Sequence, residues 1–377
     1  MNDIADRHLH IVSFDVPWPA NYGGVIDVYY KMLALSEKGI KVHLHTYEYG
    51  RAEAECLNEI CYSVKYYKRD QSKSNLFKSL PYIVSSRNSE ELATQLLRDN
   101  YPILLEGLHT CLILSDIRFS NRHIVVRTHN IEHEYYQHLA KAESDLLKKY
   151  YYHNEAAKLH RFEQILTRAK AIVAISKKDE QYFSRKYQNA HFIPAFHPHQ
   201  EVMSQPGKGD FLLYHGNLSV NENKNAVKYL IEEVFNDISF PLIIAGLNPP
   251  DSLIKLAEAN PNIRFEINPT DDRLFWLINN AHIHVLLTFQ ATGLKLKLLN
   301  TLYNGRFCVV NDKMLSGSTL DELCILANSA QQMKQQIKKL MRKDFTKREV
   351  ERRRNKLSQM YHNGQNTQRL ISLLFGD

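Results

Sequence analysis

The chain reads as an α/β protein made of two doubly wound halves, and three observations predict this. Short apolar runs of strand character alternate with longer stretches of helical period. The alternation stops at a turn-rich interval holding Pro194, Pro198, Pro206, Gly207 and Gly209, and then restarts. A length of 377 residues suits two domains of ordinary size. The expected division is 1–198, a linker at 199–209, a second domain at 210–355, and a terminal helix at 356–377 that packs back on the first domain. Two such halves joined by a short linker imply a cleft between facing sheet edges, the usual place for a ligand.

In the first half, His10 to Asp15 is a strand, Gly24 to Lys38 a helix stopped at Gly39, and Lys41 to Tyr47 the next strand, completing a βαβ unit. Gly23 and Gly24 open that helix, where paired glycines let a ligand approach the backbone. A third spaced glycine is missing, so this is not the dinucleotide fingerprint. Further strands are expected at Ile60 to Tyr67, Ile103 to Glu106 and Ile124 to Arg127. The last runs into Thr128, His129, Asn130, Ile131, Glu132 and His133, which crowd polar groups at a strand's C-terminal end, where open α/β sheets bind ligands. One long helical region is expected over about 133–169. A strand at Ala171 to Ser176, a helix, and a strand at His191 to Phe196 close the half.

The second half repeats the rhythm. Strands are expected at Phe211 to His215, Leu242 to Ala245, Ile263 to Ile267, Ile283 to Leu287 and Phe307 to Val310. Helices are expected at Asn225 to Phe235, Ser252 to Asn260 and Asp272 to Asn280, and again from Ala330 to the end. Between Leu287 and Gly305 lies the stretch with the strongest chemical signal. Thr292 is a suitable N-cap, Leu294, Leu298 and Leu302 recur at helical spacing, and Gly305 ends the helix. A helix N-terminus directly after a strand is an anion site, because its first amides lack partners and the dipole adds positive charge. Lys295 and Lys297 fall in that first turn, where the dipole disfavours cations unless an anion such as a diphosphate sits nearby.

Composition narrows the function. The chain is 44% hydrophobic and 24% charged, as globular proteins are, and no apolar run is long enough to span a bilayer. The first residues lack the layout of a signal peptide, and five cysteines at spacings unsuited to a metal read as reduced, which points to the cytoplasm. A net charge of +7 suits anionic donors or peripheral contact with an anionic membrane, and 21 tyrosines, three of them after Lys148 and Lys149, suit an interfacial face. The basic residues are too scattered, and free of any known motif, to point to nucleic acid. The run Lys347 to Lys356 reads as a solvated helix face. The pairs His43/His45 and His282/His284 share strand faces without a further metal ligand and read as structural.

Six stretches, in order along nearly the whole chain, resemble the retaining GT-B glycosyltransferases of the family 4 group. They are PWPANYGG (Pro17 to Gly24), RTHNIEHEYY (Arg127 to Tyr136), AISKKDEQYF (Ala174 to Phe183), LYHGNLSVNENKNA (Leu213 to Ala226), IIAGLNP (Ile243 to Pro249) and TGLKLKLLNTLYNGRFCVVN (Thr292 to Asn311). The subgroup is similar to bacterial enzymes that build surface polysaccharide or lipid-linked glycans. The resemblance implies a GT-B fold with two Rossmann-like domains, a nucleotide-diphosphate sugar (GDP- or UDP-linked) on the second domain, the acceptor on the first, and no metal or other cofactor. It implies donor contacts at Gly23, Gly24, Gly216, Asn217, Lys224, Thr292, Gly293, Leu294, Lys295, Lys297 and Asn300, with His129 the active-site histidine near the transferred sugar. Asp15, Trp18, Tyr22, Glu106, His109, Asn130 and Glu132 are expected on the acceptor side.

The chain departs from the family pattern in three places. Asn217 stands where the family has arginine, and Thr292 and Asn300 stand where it has two glutamates. Asn300 keeps the capacity to bond a ribose hydroxyl, and Thr292 a phosphate or sugar oxygen. In such a site the leaving diphosphate itself can take the acceptor's proton, so the protein's work is orientation and charge stabilisation by helix amides, Lys297 and Lys224. The expected activity is retaining hexosyl transfer, mannosyl transfer included, to a glycan or lipid-linked acceptor. Two alternatives stand beside it: a non-catalytic descendant that binds a glycan or partner, and a nucleotide-sugar epimerase.

Overall fold

The computed structural model describes residues 6–289 and 295–376. It comprises two compact units, Met1–Pro198 with Tyr361–Asp377, and His199–Met360. The return to the first unit therefore begins at Tyr361, and the charged helix before it stays with the second.

The first unit is a parallel sheet of seven strands: β1 (His8–Ser13), β2 (Lys41–Glu48), β3 (Ser63–Lys68), β4 (Ile103–Glu106), β5 (Ile124–Thr128), β6 (Ala171–Ala174) and β7 (Ala190–Phe192), in the order β3-β2-β1-β4-β5-β6-β7. The order reverses direction between β1 and β4, which makes the C-terminal ends of these two strands the switch point where a doubly wound sheet opens a crevice. Helix α1 (Gly23–Glu37) covers one face, where Leu9, Ile11, Val28, Met32 and Leu35 share a core with Leu370, Ile371 and Leu374 of the C-terminal helix Asn363–Phe375. The other face buries Val12, Leu105, Val126 and Ile172 under Leu159 and Phe183. Near β1 to β3 this second face is filled by imidazoles. His8 Nδ1 meets His43 Nε2 at 2.7 Å, and His45 lies between His10 Nδ1 at 2.9 Å and Tyr67 Oη at 2.8 Å.

The long helical region expected over 133–169 is broken. Helix α2 (Glu132–Ala142) ends and α3 (Leu146–Phe162) starts afresh, because the Asp145 carboxylate accepts from Lys148 N at 2.9 Å and caps a new N-terminus. The remainder, Glu163–Arg168, is a 3-10 turn, and α4 (Lys177–Lys186) follows β6, capped by Ser176. The first strand stops at Ser13, which leaves Phe14 and Asp15 in the loop beyond its end.

The second unit is a six-stranded parallel sheet: β8 (Leu212–Asn217), β9 (Leu242–Leu247), β10 (Ile263–Ile267), β11 (Ile283–Leu286), β12 (Phe307–Val310) and β13 (Ile325–Leu326), ordered β10-β9-β8-β11-β12-β13. Its switch point lies between β8 and β11. Gly216 pairs with Gly246 across β8 and β9, and a Cβ on Gly246 would stand 2.3 Å from the Gly216 carbonyl oxygen. Helix α5 (Asn221–Tyr229) follows β8 and begins earlier than the expected Asn225, while α6 (Leu296–Asn304) follows β11 and stops at Gly305. Lys295 is the N-cap of α6. The expected cap Thr292, with Gly293 and Leu294, lies outside the described residues. Helices α7 (Ala330–Leu340) and α8 (Lys347–Met360) complete the unit. The reading of the run Lys347 to Lys356 as a solvated face is corrected at Arg353, which is buried beside Val350 and Leu357.

Candidate active site

At the switch point of the first unit, β4 ends in Glu106, and β5 is followed at once by His129. His129 Nε2 lies 3.0 Å from Glu106 Oε2, so the carboxylate holds the Nε2–H tautomer and leaves Nδ1 as an acceptor. Glu106 is fully buried and lies 2.7 Å from the ammonium of Lys31, which also reaches Asp27 at 2.9 Å. Arg127 on β5 grips Asp27 from the other side, at 2.7 and 3.1 Å, and donates to Ile193 O at 2.6 Å. Burial alone would raise Asp27, but Arg127 and Lys31 hold it well below the usual carboxylate range. Two carboxylates and two cations thus cancel in a fully buried cluster.

Asp27, Glu106 and His129 converge closely enough to hold an ion. The Lys31 ammonium, ion-paired with both carboxylates, already supplies the positive charge there, so these residues do not fit a resident metal. Glu106 was expected on the acceptor side. It is wholly buried and bonded to His129.

Phe14 separates His129 from His109, with ring centroids 5.3 and 5.2 Å away. His109 is kept neutral by burial, and its Nδ1 is buried without a hydrogen-bond partner among the described residues. The Asp15 carboxylate is already engaged, accepting from Val16 N and from the Tyr22 hydroxyl, both at 2.9 Å, and burial raises its pKa. Tyr22 is the uncharged N-cap of α1, with Gly23 and Gly24 following. A Cβ on Gly24 would lie 2.7 Å from the Phe14 ring, which would have to shift to admit it. Trp18 is 39% exposed and stacks at a tilt on Tyr29. Glu132 heads α2, buried, with its carboxyl pushed up to about 8 by desolvation and partly restrained by a hydrogen bond from Asn130. It is therefore a neutral acid at pH 7.

At the switch point of the second unit, Gly216 and Asn217 end β8, and Thr288 follows β11. Lys297, in the first turn of α6, donates to Asn223 Oδ1 at 2.9 Å and lies 5.2 Å from the Tyr214 ring centre. Burial lowers its pKa to about 8. Lys295 sits 3.4 Å from Glu222 Oε1, and the Thr288 hydroxyl also donates to Glu222. Asn311 fixes Thr288 through both of its backbone groups, at 3.2 and 2.7 Å. Asn223 Nδ2 donates to Asn217 O at 2.8 Å, and the Asn217 side chain is spent on Ser219 in its own turn. The Lys224 side chain makes no ion pair or hydrogen bond among the described residues. Asn300 accepts from Asn304 Nδ2 at 2.8 Å, one turn further along α6.

Sequence reasoning missed Lys31, Asp27, Glu222 and Asn223. The i, i+4 spacing of Asp27 and Lys31 and the turn position of Glu222 read as ordinary helix surface. Only their burial and long-range partners distinguish them.

No protein-family model matches the chain. A Klebsiella pneumoniae protein described as an uncharacterized 44.6 kDa protein in the cps region is 26% identical over 79% of this chain and 81% of its own length. A glycosyltransferase from Rickettsia africae superposes with a TM-score of 0.66 at 12% identity, covering 99% of this chain and all of that one. Sucrose-phosphate synthase from Thermosynechococcus elongatus gives 0.63 at 13%, covering 98% and 95%. The Anabaena HepE protein in complex with UDP and glucose gives 0.63 at 11%, covering 98% and 100%. With its sheets of seven and six parallel strands, this chain has the GT-B fold of glycosyltransferases.

Proposed function

We propose that the protein transfers a hexose from a GDP- or UDP-linked sugar to a glycan or lipid-linked acceptor, with retention and without a metal. The observation that carries this reading is the cationic end of α6 beside Gly216. Lys297 is half-buried, its ammonium donates to an amide oxygen and pairs with no carboxylate among the described residues, and burial draws its pKa down to about 8. A buried ammonium without a carboxylate partner is incompletely compensated, and a diphosphate would supply the missing charge. Lys295, at the cap of the same helix, and the uncommitted Lys224 add to the positive field.

In this reading, Lys297 and the α6 amides stabilise charge on the departing diphosphate, whose oxygen takes the acceptor's proton. Glu106 clamps His129, whose Nδ1 lone pair accepts from a hydroxyl of the transferred sugar. The neutral Glu132, with Asp15, Trp18 and Tyr22, serves the acceptor. A surface-glycan acceptor agrees with the cps-region setting of the Klebsiella relative.

Thermal shift with GDP and UDP tests the reading. The wild type is stabilised by one of them, and Lys297→Ala removes most of the shift. No shift with any nucleoside diphosphate favours the second reading, a glycan- or partner-binding descendant without transfer. That reading draws on the absence of carboxylates at Thr292 and Asn300, the latter committed to Asn304.

A further inference from the structure

The second unit contains a cavity of about 230 Å³ lined by Phe307, Cys324, Lys339, Lys343, Arg352 and Arg353, among others. Phe307 and Ile325 are the first residues of β12 and β13, so the cavity lies at the N-terminal edge of the sheet. Gly216 and Lys297 belong to the opposite, C-terminal edge. Two features of the charges around it bear on what it would hold.

The Arg353 guanidinium is buried, and among the described residues no carboxylate bonds it. It donates to Ser204 Oγ at 2.9 Å, to Leu302 O at 3.3 Å, and to the carbonyls of Gly305 and Arg306. Burial pulls its pKa down to about 10, a sign that carbonyl dipoles do not fully replace water around it. Secondly, Lys339, Lys343 and Arg352 are exposed on the rim, and their side chains make no ion pair among the described residues. The acid lining the cavity, Glu349, is held by Thr346, accepting from its backbone N at 2.6 Å and its hydroxyl at 3.1 Å.

We propose that this cavity is a second anion-binding site, taking a small phosphorylated molecule with more than one negative charge. Three unpaired rim cations and one buried guanidinium without a carboxylate partner among the described residues line a volume that admits a phosphate group and a modest organic substituent. The anion supplies the charge that Arg353 lacks, while the rim cations supply flexible donors. The site is independent of the donor reading and uses none of its residues.

Cys324 lines the cavity and is partly exposed, which provides a direct readout. The full chain is treated with iodoacetamide, and alkylation of Cys324 and Cys56 is followed by peptide mass spectrometry. Inorganic pyrophosphate is the probe, with sodium chloride at equal ionic strength as control. At ten times its Kd, pyrophosphate slows alkylation of Cys324 by about tenfold. Cys56, in the first unit, is unaffected. The double substitution of exposed residues, Lys339→Gln with Lys343→Gln, abolishes the protection, and Lys297→Ala retains it. Equal slowing by chloride, equal slowing at Cys56, protection that survives the double substitution, or protection lost in Lys297→Ala would each overturn the proposal.

Discussion

Lys31→Met tests the charge cluster beneath His129. Lys31, Asp27, Glu106 and Arg127 are all fully buried, and Lys31 lies 2.9 Å from Asp27 and 2.7 Å from Glu106. Methionine keeps most of the volume and removes only the ammonium. Asp27 keeps Arg127, but Glu106 is left with His129 alone. Breaking a buried ion pair from one side costs about 3–5 kcal/mol, because the surviving charge is stranded without water. With a urea m-value of about 2–3 kcal/mol/M, the midpoint falls by roughly 1–2.5 M. The two tryptophans, Trp18 and Trp276, lie in different units, so fluorescence in a Trp276→Phe background reports the first unit. The second variant decides the mechanism. Lys31→Met with Glu106→Gln restores neutrality and keeps an oxygen for His129, so its midpoint returns to within about 1.5 kcal/mol of wild type. A loss below about 1 kcal/mol for Lys31→Met, or a double variant no more stable than the single, refutes the argument.

Further predictions follow from individual groups. Burial lowers His43 and His197 to about 4 and His215 to about 3, so the unfolded chain binds more protons than the native one below pH 6.5. Their contribution is complete above pH 6.5 and is lost as pH falls towards 4, which denaturation midpoints between pH 7 and 4.5 will show. Glu132 titrates in the opposite sense: its raised pKa of about 8 costs stability increasingly from pH 4.5 to 8. Glu132→Gln should therefore be nearly neutral at pH 4.5 and stabilising by roughly 1–3 kcal/mol at pH 8. Gly246→Ala places a methyl 2.3 Å from the Gly216 carbonyl, and the forced separation of β8 from β9 should cost about 1–3 kcal/mol by urea titration. If that variant has wild-type stability, the two strands are not packed as described.

Much of the fold is legible in the residue pattern because the pattern is local. Val42 and Leu44 on β2, or Leu298 and Leu302 on α6, report the period of their own element. Boundaries were less legible, since Asp145 restarts a helix through one capping bond that polarity alone does not distinguish from an exposed aspartate. The polar strand ends were visible too: Glu106, His129 and Gly216 all sit at the switch points that the strand orders create.

Sequence by itself determined the alternation of elements, the division into two sheets and the chemistry available at their C-terminal ends. Tertiary structure alone decided which charges meet. Arg127 reaches Asp27 across 100 residues, and Lys295 reaches Glu222 across 73. Arg353, within a run that reads as solvated, ends buried against backbone carbonyls. Periodicity is a property of neighbours along the chain. Desolvation and Coulomb pairing depend on what lies across space, and a charged side chain reads the same in sequence whether water or protein surrounds it.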